Sequence, residues 1–312
     1  MAGNKNRAVY GVLLLVFLFF VILMIFASYT INVFKSESDE VNYSRKNKGS
    51  IAVVEVEGVI MDSRKTVELL HIAEEDKSIK AIILRINSPG GAVGPTQEIY
   101  EEIRRIDASW DLSNKKEGKP IYASFATVAA SGGYYLGAAT RRIYSSPGTL
   151  TGSIGVIMQF LDASKLAKKV MINQKNIKAG RYKDIGSPTR VMTLEEEKLM
   201  QGMVSGVHKQ FIEDILKNRK GKLKSDIIDL AQGQIFSGEE AFNQGLVDEL
   251  AGLWTAGRRI HKELNLKGKF GFKYIKKKKE MRFWQILENL DEASSNLNLF
   301  SWMSKTPLLL YQ

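Results

Sequence analysis

Hydrophobic and polar positions change register sharply along this chain. From Ala8 to Phe34 no residue is charged, and the middle of the run reads VLLLVFLFFVILMIF. About 20 apolar residues cross the ~30 Å hydrocarbon layer as a helix, so residues 8–34 are expected to span a membrane with some tilt. A removable signal peptide has a core of only ~7–15 residues and a small-residue cleavage site. Ala27-Ser28-Tyr29-Thr30 is a poor one, so the span reads as an uncleaved anchor behind a short tail, residues 1–7. Lys5 and Arg7 precede it, and Lys35, Arg45, Lys46 and Lys48 follow. That count leaves topology open, because large domains cross largely regardless of flanking charge.

Residues 35–49 are polar and charge-mixed, a linker. Beyond it two periods alternate. Ile51–Met61, Lys80–Asn87 and Pro120–Val128 are β-branched or continuously apolar and read as strands, the second too apolar to keep one face wet. Thr66–Glu74, Pro95–Ile106 and the small-residue run Ser131–Thr140 read as helices between them. Strands separated by helices predict an α/β domain around a mostly parallel sheet. Farther on, Thr193-Leu194-Glu195-Glu196 and Ser237-Gly238-Glu239-Glu240 have the form of capping boxes. The first opens a helix to about Asn218, the second a short helix that Gly245 ends. Phe270–Ile275 reads as a last strand. The folded unit is expected over residues 50–275, with 276–312 as an appendage.

Composition narrows the chemistry. Hydrophobic residues make up 44% and charged residues 25% of the 312, which excludes global disorder. Without cysteine there is no disulfide framework, iron–sulfur site, thiolate zinc site or cysteine nucleophile. His71, His208 and His261 are too scattered to suggest a metal site, and no cofactor is expected. The net charge of +11 permits anionic partners, but no nucleic-acid recognition motif accompanies it.

Three glycine-rich segments each follow a strand. In Asn87-Ser88-Pro89-Gly90-Gly91 the glycines make either a turn or a backbone shelf that aims N–H groups at an oxyanion. In Val128–Tyr135 (VAASGGYY), Ser131 stands where a strand ends and a helix starts. It is either an N-cap or a nucleophile helped by the helix terminus and the Gly132 N–H. The third segment is Leu150–Val156 (LTGSIGV). Later, Lys178-Ala179-Gly180-Arg181-Tyr182-Lys183-Asp184 is basic, and spacing alone does not single out Lys183 from its solvated neighbours.

Taken together and in this order, NSPGG, ASGGYY, TGSIGV and K-x-G-x-Y-K-D resemble the bacterial signal peptide peptidase A family. The resemblance covers about residues 50–260 and matches the short, single-copy members. It implies a Clp-protease/crotonase fold and a serine endopeptidase with Ser131 as nucleophile and Lys183 as general base. It further implies that Ser153 hydrogen-bonds the lysine and that the Gly91 and Gly132 N–H groups form the oxyanion hole. Such a dyad needs a lysine kept neutral by burial in a closed apolar cleft. Burying that amine costs stability, so Lys183→Met is expected to melt higher than wild type. The implied partners are cleaved signal peptides, other unfolded hydrophobic peptides, the lipid bilayer, and copies of the same chain in a ring or dome. The implied place is the extracytoplasmic face of the cell membrane.

Three other readings stay open: an acyl-CoA hydratase on the shared fold, a membrane Ser–Lys protease with one dedicated membrane partner, and an inactive scaffold that binds peptides. In the appendage, Lys276–Lys279 could meet anionic headgroups. Phe283, Trp284, Ile286, Leu287 and Leu290 make an amphipathic pattern, and the Pro307–Tyr311 end resembles the proposed substrates.

Overall fold

A computed structural model describes residues 17–21, 24, 49–114, 117–276 and 310–311. The chain divides into two units, Met1–Lys48 and Gly49–Gln312. In the first, Phe17–Val21 and Met24 are helical, with exposed side chains. No helix among the described residues is long and apolar enough to cross a membrane. The anchor expected over 8–34 therefore lies for the most part outside the described residues, as does most of the appendage.

The second unit is a mixed α/β fold. Its main sheet runs β7 (Ile235–Ser237), β6 (Leu150–Gly152), β4 (Ile121–Ala130), β2 (Ala81–Ser88), β1 (Ile51–Glu57) and β9 (Phe272–Tyr274). β5 (Ile143–Ser145) branches from β4 and carries β8 (Glu249–Leu250). Every pairing in it is parallel except β6 with β7. The apolar runs explain this. Parallel strands are covered on both faces and lose the wet–dry alternation of an exposed sheet. Across β1, β2 and β4, Val54, Leu84 and Ala123 share one face, while Val53, Ile83 and Tyr122 share the other.

Each face has its own cover. On the first lie α1 (Arg64–Glu75), α2 (Val93–Leu112), α3 (Gly132–Ala138) and the second half of the long α5 (Leu194–Arg219), burying Leu70, Ile99, Ile103, Tyr134, Phe211 and Ile215. On the second lies α8 (Leu253–Glu263), with Ala256 and Ile260 against Ile51, Ile83 and Phe272. Each such aliphatic side chain contributes about 1.5–3 kcal/mol on burial. Three short helices complete the unit: α4 (Ser164–Lys169), α6 (Ile227–Leu230) and α7 (Gly238–Asn243). Both capping boxes form, with Thr193 and Glu196 opening α5 and Ser237 and Glu240 opening α7.

α5 is fastened to the sheet through its C-terminal end. Arg219 is fully buried and donates to Asp248 (2.6 Å) and to the Gly245 carbonyl, while Asp248 also accepts the Ile143 N–H of β5 (2.8 Å). Toward its N-terminus Leu194, Leu199 and Met203 are exposed.

Candidate active site

β4 and α3 meet at Ser131. A helix of Gly, Ala and Tyr can lie very close to a strand: a Cβ added at Gly137 would stand 2.5 Å from the Phe125 ring. The junction is tight enough to hold Ser131 at φ +53°, ψ −116°, a region that L-residues rarely adopt. Its N–H donates to Gly152 O (2.8 Å), and its carbonyl accepts the Tyr135 N–H (2.9 Å). The side chain caps nothing: Oγ is buried and has no hydrogen-bond partner. An unpaired buried hydroxyl costs ~1–3 kcal/mol, and such a backbone conformation about as much again. An N-cap serine would incur neither cost, so the capping reading fails.

The glycine shelf faces this serine. β2 shifts register against β4 between Ile86 and Ser88, and the chain then turns, with the Ser88 hydroxyl accepting the Gly90 N–H (3.1 Å). It continues into the short β3 (Gly91–Ala92). Ile60 brackets that turn, its N–H donating to Gly90 O (2.9 Å) and its carbonyl accepting the Ala92 N–H (2.7 Å). Gly91 approaches Ile60 so closely that a Cβ would sit 2.1 Å from Ile60 O. A Cβ on Gly132 would stand 3.4 Å from Gly91 N and 3.2 Å from Thr96 Oγ1. Gly91 and Gly132 are thus neighbours across a narrow gap beside Ser131. Ser153 lies on the other side, at φ +49°, its N–H donating to Gln234 O (2.7 Å), one residue past the carbonyl that holds Ser131.

Lys183 is placed differently. It lies in an exposed loop, its N–H donating to Gly180 O (3.3 Å), and its amine neither bonds Ser131 Oγ nor pairs with any carboxylate among the described residues. The structure brings Ser131, Gly91, Gly132 and Ser153 together and leaves Lys183 outside. The burial expected of its amine is not seen: Lys183 is exposed, and nothing among the described residues covers the loop. Among the described residues no group of three or more His, Asp and Glu could hold a metal ion.

Comparison with known proteins bears on the same segments. The profile of Peptidase family S49 matches residues 113–267, and that of Clp protease residues 38–136. A Synechocystis sp. protein provisionally named a protease is 34% identical over 67% of this chain and 72% of its own length. The chain belongs to peptidase family S49. An Enterococcus faecium protein provisionally named signal peptide peptidase SppA is 36% identical over 62% of the chain and 54% of its own length. The Arabidopsis thaliana "Serine protease SPPA, chloroplastic" is 32% identical over 64% of the chain and 28% of its own. The chain thus spans about half of the Enterococcus relative and under a third of the plant one. The mostly parallel α/β architecture agrees with the Clp-protease/crotonase class.

Two residues of this candidate site carried no signal in the sequence. Ile60 acts through its backbone alone, which no side-chain pattern reports. Thr96 is fully buried and donates to Ala92 O (2.8 Å). Its spacing inside a predicted helix gave no reason to separate it from the packing residues.

Proposed function

We propose that this chain is a membrane-anchored serine endopeptidase that degrades remnant signal peptides and other unfolded hydrophobic peptides. Ser131 carries the reading: a buried, strained, unpaired hydroxyl beside two facing glycine backbones has the parts of an acyl-transfer site. In that chemistry Ser131 Oγ attacks the scissile carbonyl and Lys183 takes the proton. The Gly91 and Gly132 N–H groups hold the oxyanion, and Ser153 orients the lysine. An extended substrate fits the shelf. The chain's own Leu310–Tyr311 (β10) runs antiparallel along it, Leu310 opposite Ala92 and Tyr311 opposite Gly91, the pairing that supports peptide binding by strand addition.

For Lys183 to act, its loop must be covered. The same region exposes Leu161, Leu166, Met171, Ile177 and Val191 besides the apolar side chains of α5. A row of that size suits an interface, and copies of this chain assembling through it into a ring or dome would close the loop over. Residues 8–34 would keep the assembly at the membrane, with the catalytic unit on the extracytoplasmic side.

The test is digestion of synthetic signal peptides and of folded proteins by the full chain in detergent. Wild type should cut the former, spare the latter, and label at Ser131 with a fluorophosphonate. Ser131→Ala should do neither. Mass spectrometry should also find a shortened C-terminus in wild type and an intact one in Ser131→Ala. Equal cutting by both proteins would overturn the reading.

A further inference from the structure

Four cations lie between residues 178 and 190: Lys178, Arg181, Lys183 and Arg190. Three are bound. Lys178 pairs with Asp184, Arg181 with Glu195, and Arg190 bridges Asp184 (2.9 Å) and Glu196 (2.6 Å). Arg190 also donates to the Asp184 carbonyl (3.1 Å) and the Val191 carbonyl (3.2 Å), so its fork is nearly filled. Lys183 is the fourth. It is next in sequence to Asp184, and that carboxylate is occupied by Arg190, Lys178 and Asn176.

Three further ionisable groups of the neighbourhood are engaged in the same way. Tyr182 OH donates to Glu195. Glu196 accepts the Thr193 N–H (2.9 Å) as well as Arg190. The segment packed beneath through Ala163 N–H to Pro188 O (2.7 Å) offers Asp162, which accepts the Ser164 N–H (2.9 Å). Lys175, Glu197 and Lys198 are exposed nearby.

A lysine that works as a base must hold a neutral amine, and a carboxylate within ~4–6 Å favours its charged form instead. We propose that Arg190, assisted by Lys178, is a positioning residue that withholds Asp184 and Glu196 from Lys183 and so leaves its amine free to exchange a proton. This rests on Lys183 being the general base. Arginine suits the task because its planar fork can grip two carboxylates at once, which an ammonium cannot. In agreement, hydrogen bonds from Arg190 and then Lys178 hold the Asp184 carboxyl well below the usual range.

The experiment is the pH–rate profile of kcat/KM for a fluorogenic signal-peptide substrate, measured on the full-length protein. Arg190→Gln should loosen the hold on Asp184, which keeps Lys178 and Asn176, release Glu196, and move the acid limb to higher pH by about one unit, with activity at neutral pH falling about tenfold. Asp184→Asn removes the competing carboxylate and should leave the limb in place or move it to lower pH. The double variant should move back toward the wild-type limb, stopping short of it by whatever Glu196 contributes once Arg190 is gone, and Arg190→Lys should fall between. If Arg190→Gln fails to fold, Lys178→Met should shift the limb in the same direction by a smaller step. A shift to higher pH in Arg190→Gln that Asp184→Asn does not share is the signature, since a structural staple would slow both without moving the limb. Equal losses with an unshifted limb, alongside an inactive Lys183→Met, would overturn the clamp alone. An active Lys183→Met would remove the base itself, and the clamp with it.

Discussion

The segment that holds Ser131 and the segment that holds Lys183 are built on opposite principles. Around Ser131 two strands and a helix of small residues fix the backbone to within a single Cβ, and Tyr134, Tyr135, Ala129 and Leu136 are all but fully buried. Around Lys183 the loop has no core of its own: Ile177 is 95% and Met171 87% exposed. Its order comes from ion pairs. A nucleophile gains from rigid placement and low dielectric, both of which dense packing supplies. A base must change charge in each cycle, and on the reading proposed above the surroundings of Lys183 would be set by which charges may approach it.

The largest effects should come from removing either member of that contrast. Ser131→Ala and Lys183→Met should each lower kcat/KM for peptides by at least about a thousandfold. Ser131→Ala removes an unpaired buried hydroxyl, so thermal melting should show it at least as stable as wild type. In the unassembled chain Lys183→Met should melt with wild type, because an exposed amine has no burial cost to relieve. A rise in its melting temperature there would place the amine back in a buried cleft.

Gly91→Ala should cost about 10²–10³ in kcat, since the new Cβ meets the Ile60 carbonyl at 2.1 Å and the shelf must move. A fully active variant would dissociate the shelf from catalysis.

Next is the fastening of α5. Arg219→Ala removes the fully buried partner of Asp248 and leaves that carboxylate to Lys222 (2.9 Å) and the Ile143 N–H, so urea denaturation should show a loss of about 1.5–3 kcal/mol. A loss under 1 kcal/mol would mean that α5 is held by Phe211 and Ile215 alone.

The exposed row should behave in the opposite sense. Leu194→Ser, Leu199→Ser and Met203→Ser together should alter chain stability by only about 0.5 kcal/mol per site while lowering the mass seen by light scattering. Wild-type mass at the monomer value would break the assembly proposal.

The smallest effect concerns pH. Hydrogen bonds from Arg190 and then from the Thr193 N–H bring Glu196 from its ordinary 4.5 down to about 2. With the folded value below the unfolded one, its contribution to the loop is complete above pH ~4.5 and is lost as pH falls through about 2. Hydrogen-exchange protection over residues 178–193, corrected for the intrinsic pH dependence of amide exchange, should fall as pH drops through that window and stay flat from pH 5 to 8.

Much of the first region was legible in the sequence. Strands such as Lys80–Asn87 advertise burial on both faces, Ser and Thr followed three residues later by Glu mark helix starts, and four motifs in order point to the family. The strands at Ile143, Ile235 and Glu249 were not legible, being too short to show a period. α8 was missed too: of its eleven residues only Ala256, Gly257 and Ile260 are buried, and two of those have little or no side chain to mark an apolar stripe. The Lys183 loop was the least readable part. Its lysines and arginines look alike in composition, and which of them is left unpaired depends on tertiary geometry.

Glu196 serves both regions at once. The same carboxylate closes the capping box on Thr193 and grips Arg190. Helix ends fray, and local openings of this kind involve contiguous groups of residues that come apart together. The first turn of α5 and the loop bearing Lys183 therefore form one opening unit. Amides of Glu196 and Glu197 should gain and lose exchange protection in step with that of Lys183. Anything that steadies the end of a long helix would at the same time steady the setting of the proposed base.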